Sequence, residues 1–581
     1  MSAPEGVVRR LSVLLRPERP RVLAVAALTV FSIGFLVSGP VLLGAATDIL
    51  FEGRDPGRLA PVLAAVAAVY VLSALLSWVQ ARVLTGVTQR TMYRLREAIE
   101  EKLTRLPVRY FDRHPRGDIL SRAVNDVGNL NTALQEGLNQ LTTSALTLLG
   151  TLGVMFWISP LLAAVSLATV PVVLTVTFLI ARRSEAQFTA QWEETGHLTA
   201  LAEETYAGHA LVLAYGRRAA ATAAFGERND RLRRAAFSAQ FLSGAIFPTV
   251  VFVGNLNYVV IAAFGGYQVA TGAITLGAVQ AFIQYSQQFT SPVIQIAGQL
   301  NVLQSGIASA GRVFALLDAP EEPFLPARPA DPGAVVPGAH RVRLEGVGFR
   351  YDPATPLIED FTLEAAPGQT VAIVGPTGAG KTTVVNLLVR FYEIDRGRIV
   401  LDDVDYRDLG RDEVRRRFGM VLQDPWLFHG TVRDNIAYGR DGAGDDEIVA
   451  AARAAHADEF VRALPDGYAT VLDGAASTIS SGQRQLLTIA RAFLADPGIL
   501  ILDEATSNID TRTEAMVQAA MARLRAGRTS FVIAHRFSTI HSADTIVVMD
   551  AGRVVEQGTH AELLSRRGFY HDLYNRQFVS S

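Results

Sequence analysis

The residues with the most chemistry to offer lie between 371 and 383, which read VAIVGPTGAGKTT. A short apolar β-type run, Thr370–Val374, stops at Gly375, and Lys381, Thr382 and Thr383 open an apolar helical pattern. Gly375, Gly380, Lys381 and Thr382 satisfy the spacing G-x-x-x-x-G-K-[ST], in the strand–loop–helix setting that the spacing requires. In the loop Gly375, Pro376, Thr377, Gly378, Ala379, Gly380, glycines let the backbone wrap closely around phosphates with its N–H groups pointing inward. The helix N-terminus adds partial positive charge. Lys381 can reach the β- and γ-phosphates, and the Thr382 hydroxyl can ligate Mg²⁺. The run Gly375–Thr383 is therefore the candidate site for a nucleoside triphosphate.

Further groups fit the same chemistry downstream. Gly498–Glu504, GILILDE, reads as a buried strand ending in two carboxylates. Asp503 is placed to hold Mg²⁺, directly or through water, and Glu504 to orient and deprotonate an attacking water. His535, in FVIAHR at the end of another strand, can contact the γ-phosphate and help hold that water. Gln423, in MVLQDPW, also ends a strand, where its amide can sense Mg²⁺ or water. Tyr351, in FRYDP, is a candidate to stack on adenine. Thr478–Arg491, TISSGQRQLLTIAR, is a small polar turn opening a helix, a second place where backbone N–H groups and a positive helix end meet phosphate. A second such turn beside a complete phosphate loop makes sense if it serves another subunit's nucleotide.

These groups need two kinds of scaffold. At 581 residues the chain exceeds one core, so two or more domains are expected. Hydrophobic residues make up 49% and mean hydropathy is +0.23. The net charge of −2 argues against a general nucleic-acid-binding role. There are no cysteines, which excludes disulfides and thiolate metal sites. Apolar residues concentrate in the first half, in spans at 22–50, 59–83, 138–158, 161–181, 245–267 and 276–303. Each is long enough to cross a bilayer, which takes about 20 residues. The first is too long for a cleavable signal and lacks a small-residue cleavage site. Six spans put both termini on one side. Arg9, Arg10, Arg16, Arg19 and Arg21 mark that side as cytoplasmic. The outward loops are short, which excludes a sizeable extracellular domain.

Helical periodicity runs past the second span through Gln89–Leu106, and a polar helical stretch, Arg182–Gln240, separates the fourth and fifth spans. Both read as cytoplasmic arms carrying force between domains. In the sixth span Gln280, Gln284, Gln287, Gln288, Ser291, Gln295 and Gln299 share one helical face. Amides there face either a water-filled path or neighbouring helices, the preferred reading being a translocation cavity. Ala319–His340, with Pro320, Pro323, Pro326, Pro329, Pro332 and Pro337, reads as a linker. From Arg341 onward short apolar strands alternate with helices.

Jointly, the motifs resemble those of half-transporters of the ATP-binding cassette (ABC) exporter superfamily, over nearly the whole length. They are Walker A at Gly375–Thr382, Q-loop Gln423, signature Ile479–Gln483, Walker B at Leu500–Glu504, D-loop Ser507–Asp510 and switch His535. The resemblance implies a six-span helical membrane domain with long cytoplasmic extensions (1–318), a linker (319–340) and an α/β P-loop, RecA-like nucleotide-binding domain with a helical subdomain (341–581). It implies a multi-pass protein of the cytoplasmic (inner) membrane with its nucleotide-binding domain in the cytoplasm, and ATP and Mg²⁺ as cofactors. A dimer would sandwich two ATPs, each between one chain's Walker A and the other's signature, to which Ser480, Gly482 and Gln483 belong. Coupling helices are expected near Tyr110–Gly117 and Thr205–Val212.

Two departures from the family pattern bear on the partner. The signature is usually Leu-Ser-Gly-Gly-Gln, but here Ser481 replaces the first glycine. The usual Gly-Glu-Arg-Gly run before it is replaced by Asp473-Gly474-Ala475-Ala476-Ser477. With Glu504 intact and the signature altered, the chain resembles the catalytic-Glu-bearing subunit of heterodimeric multidrug or lipid exporters. A homodimer tolerating Ser481 is the alternative. The expected activity is ATP-driven export of amphipathic small molecules or lipids. Import of a siderophore-like substrate on the exporter fold, and an ATP-gated channel or regulator, are the competing readings. Glu504 disfavours the last, since gating alone needs no hydrolysis.

Overall fold

The computed structural model describes residues 4–51, 56–322, 340–472, 479–503, 510–534 and 537–576. They fall into two compact units. One comprises residues 1–104 and 115–320, the other residues 105–114 and 321–581. The short stretch Arg105–His114 thus leaves the helical block and groups with the second unit. The linker residues 323–339 lie outside the described residues.

The first unit is helical. Its elements are α1 (Pro4–Leu14), α2 (Arg16–Phe51), α3 (Leu59–Arg105), α5 (Arg116–Ile158), α6 (Pro160–Ala207), α7 (His209–Ala214), α8 (Arg218–Ala270) and α9 (Leu276–Leu317), while α4 (Val108–Arg113) belongs to the second unit. Five of these, α2, α3, α5, α6 and α8, are long and apolar enough to cross a membrane. Helix α9 has 42 residues, and its glutamines dilute the apolar character that marks the other five. Several run far beyond the thickness of a bilayer, which needs about 20 residues: α3 has 47 residues and α6 has 48.

Small and polar residues bring these helices together, because association in lipid relies on close packing and interhelical hydrogen bonds. Ser32 Oγ donates to the Ser73 carbonyl at 3.0 Å and Ser73 Oγ to that of Ser32 at 2.9 Å, joining α2 to α3. Helices α2 and α9 touch at Gly44 and Gly277, where a Cβ on Gly277 would stand 1.9 Å from the Gly44 carbonyl oxygen. Asp48 accepts from the Gly277 amide at 2.7 Å. A core of Ile33, Val37, Met155, Leu162, Phe282 and Tyr285 fills the space between.

The second unit carries β1 (Val342–Phe349), β2 (Ile358–Ala365), β3 (Thr370–Val374), β4 (Arg396–Leu401), β5 (Val404–Asp405), β6 (Phe418–Val421), β7 (Gly430–Thr431), β8 (Val471–Leu472), β9 (Ile499–Asp503), β10 (Thr529–Ile533), β11 (Thr545–Asp550) and β12 (Arg553–Gly558). An antiparallel sheet has the order β2-β1-β4-β5, and a six-stranded sheet the order β12-β11-β3-β10-β9-β6. In the latter, β11, β3, β10, β9 and β6 are parallel and β12 is antiparallel. The parallel strands are buried on both faces, hence their nearly unbroken runs of Val, Ile and Leu. A second core of Val432, Ile436, Ile448, Leu486, Leu487 and Ile489 lies in the helical part between β6 and β9.

Candidate functional site

The parallel strands that lead into candidate residues end at the same edge of the six-stranded sheet. β3 runs into the Gly375 loop, β6 into Leu422 and Gln423, and β9 ends at Asp503. β10 ends at Ile533, which pairs with Asp503 and stands two residues before His535 in the chain. The carboxyl edge of a parallel sheet is where such folds bind ligands.

The loop after β3 has the form that the glycine spacing predicts. Gly378 and Gly380 adopt φ of 85° and 97°, a region that L side chains rarely adopt. A Cβ on Gly380 would also come within 2.8 Å of Ile358 Cδ1. A Cβ on Gly378 would meet nothing, so that side of the loop stays open. Lys381 opens α10 (Lys381–Leu388), and its Nζ reaches back over the loop to the carbonyls of Gly375 and Pro376, at 2.7 and 2.9 Å. Burial holds the Lys381 ammonium below its ordinary pKa, and the negative charge of Asp503 acts against that shift. The Lys381 cation thus sits over the loop, where a bound phosphate requires positive charge. Thr382 is exposed at the loop's rim, whereas Thr383 is buried beneath it.

Gln423 is exposed, and the loop that carries it is bolted down behind it. Gln485 Nε2 donates to the Leu422 carbonyl at 3.3 Å. Arg491 donates to the carbonyls of Trp426 and Asn435 at 3.2 and 2.9 Å and lies over the rings of Phe428 and Tyr438. Gln485 and Arg491 both belong to the helix Ser481–Ala495, so the Gln423 loop and the turn at Ser480 share one support. That helix opens with a capping box. Ser480 Oγ accepts from the Gln483 amide at 3.2 Å, and the Gln483 side chain accepts from the Ser480 amide at 2.9 Å. Ser481 is the first helical residue and half-buried, and Gly482 is buried behind it. Glu504, His535, residues 473–478 and residues 507–509 lie outside the described residues.

Tyr351 sits in an aromatic trio. Its ring meets Phe349 and Tyr392 edge-on, each at 4.9 Å between centroids, and Asn386 Nδ2 donates to its hydroxyl at 3.3 Å. Sequence reasoning missed what lies behind the trio. Arg109 and Arg113 of α4 donate to the Tyr351 carbonyl at 3.2 and 3.3 Å, and the Tyr392 hydroxyl donates to Asp112. Burial and Asp112 both push the Tyr392 phenol above its ordinary pKa. Helix α4 overlaps the first stretch expected to couple domains. The second expected stretch contains the break at Gly208, and Tyr206, Leu211 and Tyr215 around it are exposed.

The glutamine face of α9 divides. Gln280 meets Thr47 of α2. Gln295 accepts from Gln140 and from Ser144, the latter at 3.0 Å, and donates to Ser291 at 3.1 Å. These two amides serve helix packing. Between and beyond them, the Oε1 atoms of Gln288 and Gln299 are buried without a hydrogen-bond partner among the described residues, and Gln287 is exposed.

A phosphate loop with its lysine folded back over it, joined in one chain to long apolar helices, defines a membrane protein that couples a nucleotide to movement across a bilayer. The chain belongs to the ABC transporter family. The family model described as "ABC transporter transmembrane region" matches residues 22–293, and that described as "ABC transporter" matches residues 358–507. The chain is 49% identical to the "Fatty acid ABC transporter ATP-binding/permease protein" of Mycobacterium tuberculosis, over 98% of this chain and 96% of that one. It is 36% identical to the "ATP-dependent lipid A-core flippase" of Syntrophus aciditrophicus, over 98% and 94%. Among solved structures, a bacterial Atm1-family ABC exporter with ATP bound is similar at a TM-score of 0.74 and 29% identity, covering 96% of this chain and 98% of that one. The protein is thus a multi-pass half-transporter with the exporter fold, an ATPase coupled to transport, and ABC half-transporters work as dimers.

Proposed function

We propose that this chain is one half of an exporter that moves lipids or other amphipathic molecules out of the cytoplasmic membrane by alternating access, using ATP bound at Gly375–Thr383. The observation that carries the reading is the glycine loop with Lys381 folded back over it, in a chain whose other unit is made of membrane-length helices. The names of the Mycobacterium and Syntrophus relatives support a lipid-like substrate.

In this reading Tyr351 stacks on adenine and Lys381 holds the terminal phosphates. Thr382, Asp503 and Gln423 are the donors for Mg²⁺; oxygen and amide donors around a phosphate suit that hard cation. The ion would neutralise charge on the phosphates. Glu504 takes a proton from the attacking water, and His535 holds that water against the γ-phosphate. Ser480, Gly482 and Gln483 complete the partner's site. Residues 1–318 form the membrane domain and 341–581 the nucleotide-binding domain, both termini being cytoplasmic.

The partner is an unlike half-transporter with a good signature and a poor Walker B. The support is Ser481, which puts a side chain at the first helical position of the phosphate turn. Weighing complexes of the chain expressed alone and with a candidate partner tests this. A stable homodimer with two equivalent hydrolysing sites refutes it. Transport into inverted vesicles tests direction, and movement the other way refutes export.

A further inference from the structure

We propose that Arg21, Arg90 and Arg94 form a receptor for the phosphate of an anionic phospholipid headgroup, held in shape by the buried carboxylate of Glu18. The inference needs only that α2 and α3 cross a bilayer.

Glu18 is 2% exposed, in the turn that opens α2. Its Oε2 accepts from Arg21 Nη1 at 2.7 Å and from Arg90 Nη2 at 3.2 Å. Its Oε1 accepts from Arg90 Nε at 3.2 Å and from Arg94 Nη2. Arg90 alone, gripping both oxygens, balances this carboxylate. Arg21 and Arg94 leave two positive charges in excess.

That excess faces outward. The side chains of Arg21, Arg90 and Arg94 are 54%, 45% and 36% exposed. Nη2 of Arg21, Nη1 of Arg90 and Nη1 of Arg94 donate to nothing among the described residues. The guanidinium of Arg90 lies beside Gly86, where a Cβ would come within 3.3 Å of Nη1. Three planar forks with spare N–H groups suit a tetrahedral oxyanion, which guanidinium binds through paired hydrogen bonds. Glu18 offsets the mutual repulsion that would otherwise scatter them.

The place selects the source of the phosphate. Arg21 directly precedes the apolar run that begins at Val22, and Arg90 and Arg94 follow the apolar part of α3. Both flank the hydrocarbon layer at the depth of headgroups. Basic pockets between membrane helices at that level recognise anionic lipids, and each basic residue adds to the attraction.

The test is native mass spectrometry and thermal unfolding of the purified full-length chain in mixed micelles of phosphatidylglycerol and phosphatidylcholine. Wild type should retain phosphatidylglycerol preferentially and be stabilised by it. Arg21→Gln with Arg94→Gln keeps the Arg90–Glu18 pair, and should lower that preference roughly 30-fold. Arg21→Gln alone, which breaks a single bond, should lower it roughly fivefold and serves if the double variant does not fold. An unchanged preference in the variants overturns the proposal, as does a loss of stability of the same size in either lipid. Displacement of the bound lipid by millimolar inorganic phosphate would assign the site to a soluble anion and overturn the lipid source.

Discussion

Replacing Tyr392 by Phe removes one hydroxyl and asks whether α4 senses the aromatic trio around Tyr351. The Tyr392 ring is 5% exposed and packs edge-on against Phe349 and Tyr351, contacts that Phe preserves. What is lost is the bond to Asp112 of α4. A hydrogen bond to an ionised group contributes about 1.5–3 kcal/mol. Asp112 is exposed and regains water, which places the expected effect near the lower end, about 1.5 kcal/mol or roughly tenfold in the docking of α4. The two Arg bonds to the Tyr351 carbonyl remain, so α4 loosens rather than leaves. The assay is a double-mutant cycle of Tyr392→Phe and Asp112→Ala, read by basal and substrate-stimulated ATPase activity. Each single change should cut stimulation several-fold with basal hydrolysis and nucleotide affinity preserved, and the double variant should be no worse than either. Fully additive losses, or equal losses of basal and stimulated activity, would refute the coupling role.

Three further outcomes are expected. Lys381→Ala should weaken ATP binding itself, measured by calorimetry, because the loop loses its phosphate-facing charge; unchanged affinity would remove Lys381 from the site. Tyr351→Ala should weaken ATP binding by about 1–3 kcal/mol, the range for a base on an aromatic platform, and narrow any preference for ATP over GTP. Equal affinities before and after would count against stacking. Gln284→Leu with Gln288→Leu should abolish substrate stimulation and leave basal hydrolysis intact. Its melting temperature should hold or rise, since Gln288 Oε1 is a buried acceptor without a partner among the described residues. Cysteines placed there, in a chain without native ones, should react with aqueous thiol reagents in at least one state; protection in every state would reassign this face to helix packing.

Much of the fold was legible because its signals are local. The strand Thr370–Val374, the glycines at 378 and 380 and the helix from Lys381 are specified by neighbours in sequence, and each stands where the spacing places it. The long apolar helices follow from composition alone. Contacts that join distant segments were not legible. Nothing near Tyr351 announces Arg109 and Arg113, more than 200 positions earlier. The α9 face shows the same limit from another side. Periodicity placed seven polar residues together, but whether an amide meets water or a neighbouring helix depends on that neighbour. Thr47 and Gln140 take Gln280 and Gln295, and no such partner takes Gln288 or Gln299 among the described residues. The grouping of Arg105–His114 with the nucleotide-binding unit was hidden for a related reason, since α3 carries its helical pattern up to Arg105 without a break.

The central claim is that ATP hydrolysis at this chain's phosphate loop drives an amphipathic molecule across the bilayer. It is tested most directly by reconstituting the transporter, with its partner where one is needed, into proteoliposomes with the nucleotide-binding domains outward. The movement of a fluorescent fatty acid or lipid analogue into the lumen is then followed on addition of ATP. The account predicts ATP-dependent accumulation in the lumen. With Glu504→Gln, accumulation should cease while ATP remains bound, since loss of a general base typically slows the chemical step 10²–10⁴-fold. Hydrolysis without any movement of such molecules, or accumulation that persists in the Glu504→Gln variant, would contradict it.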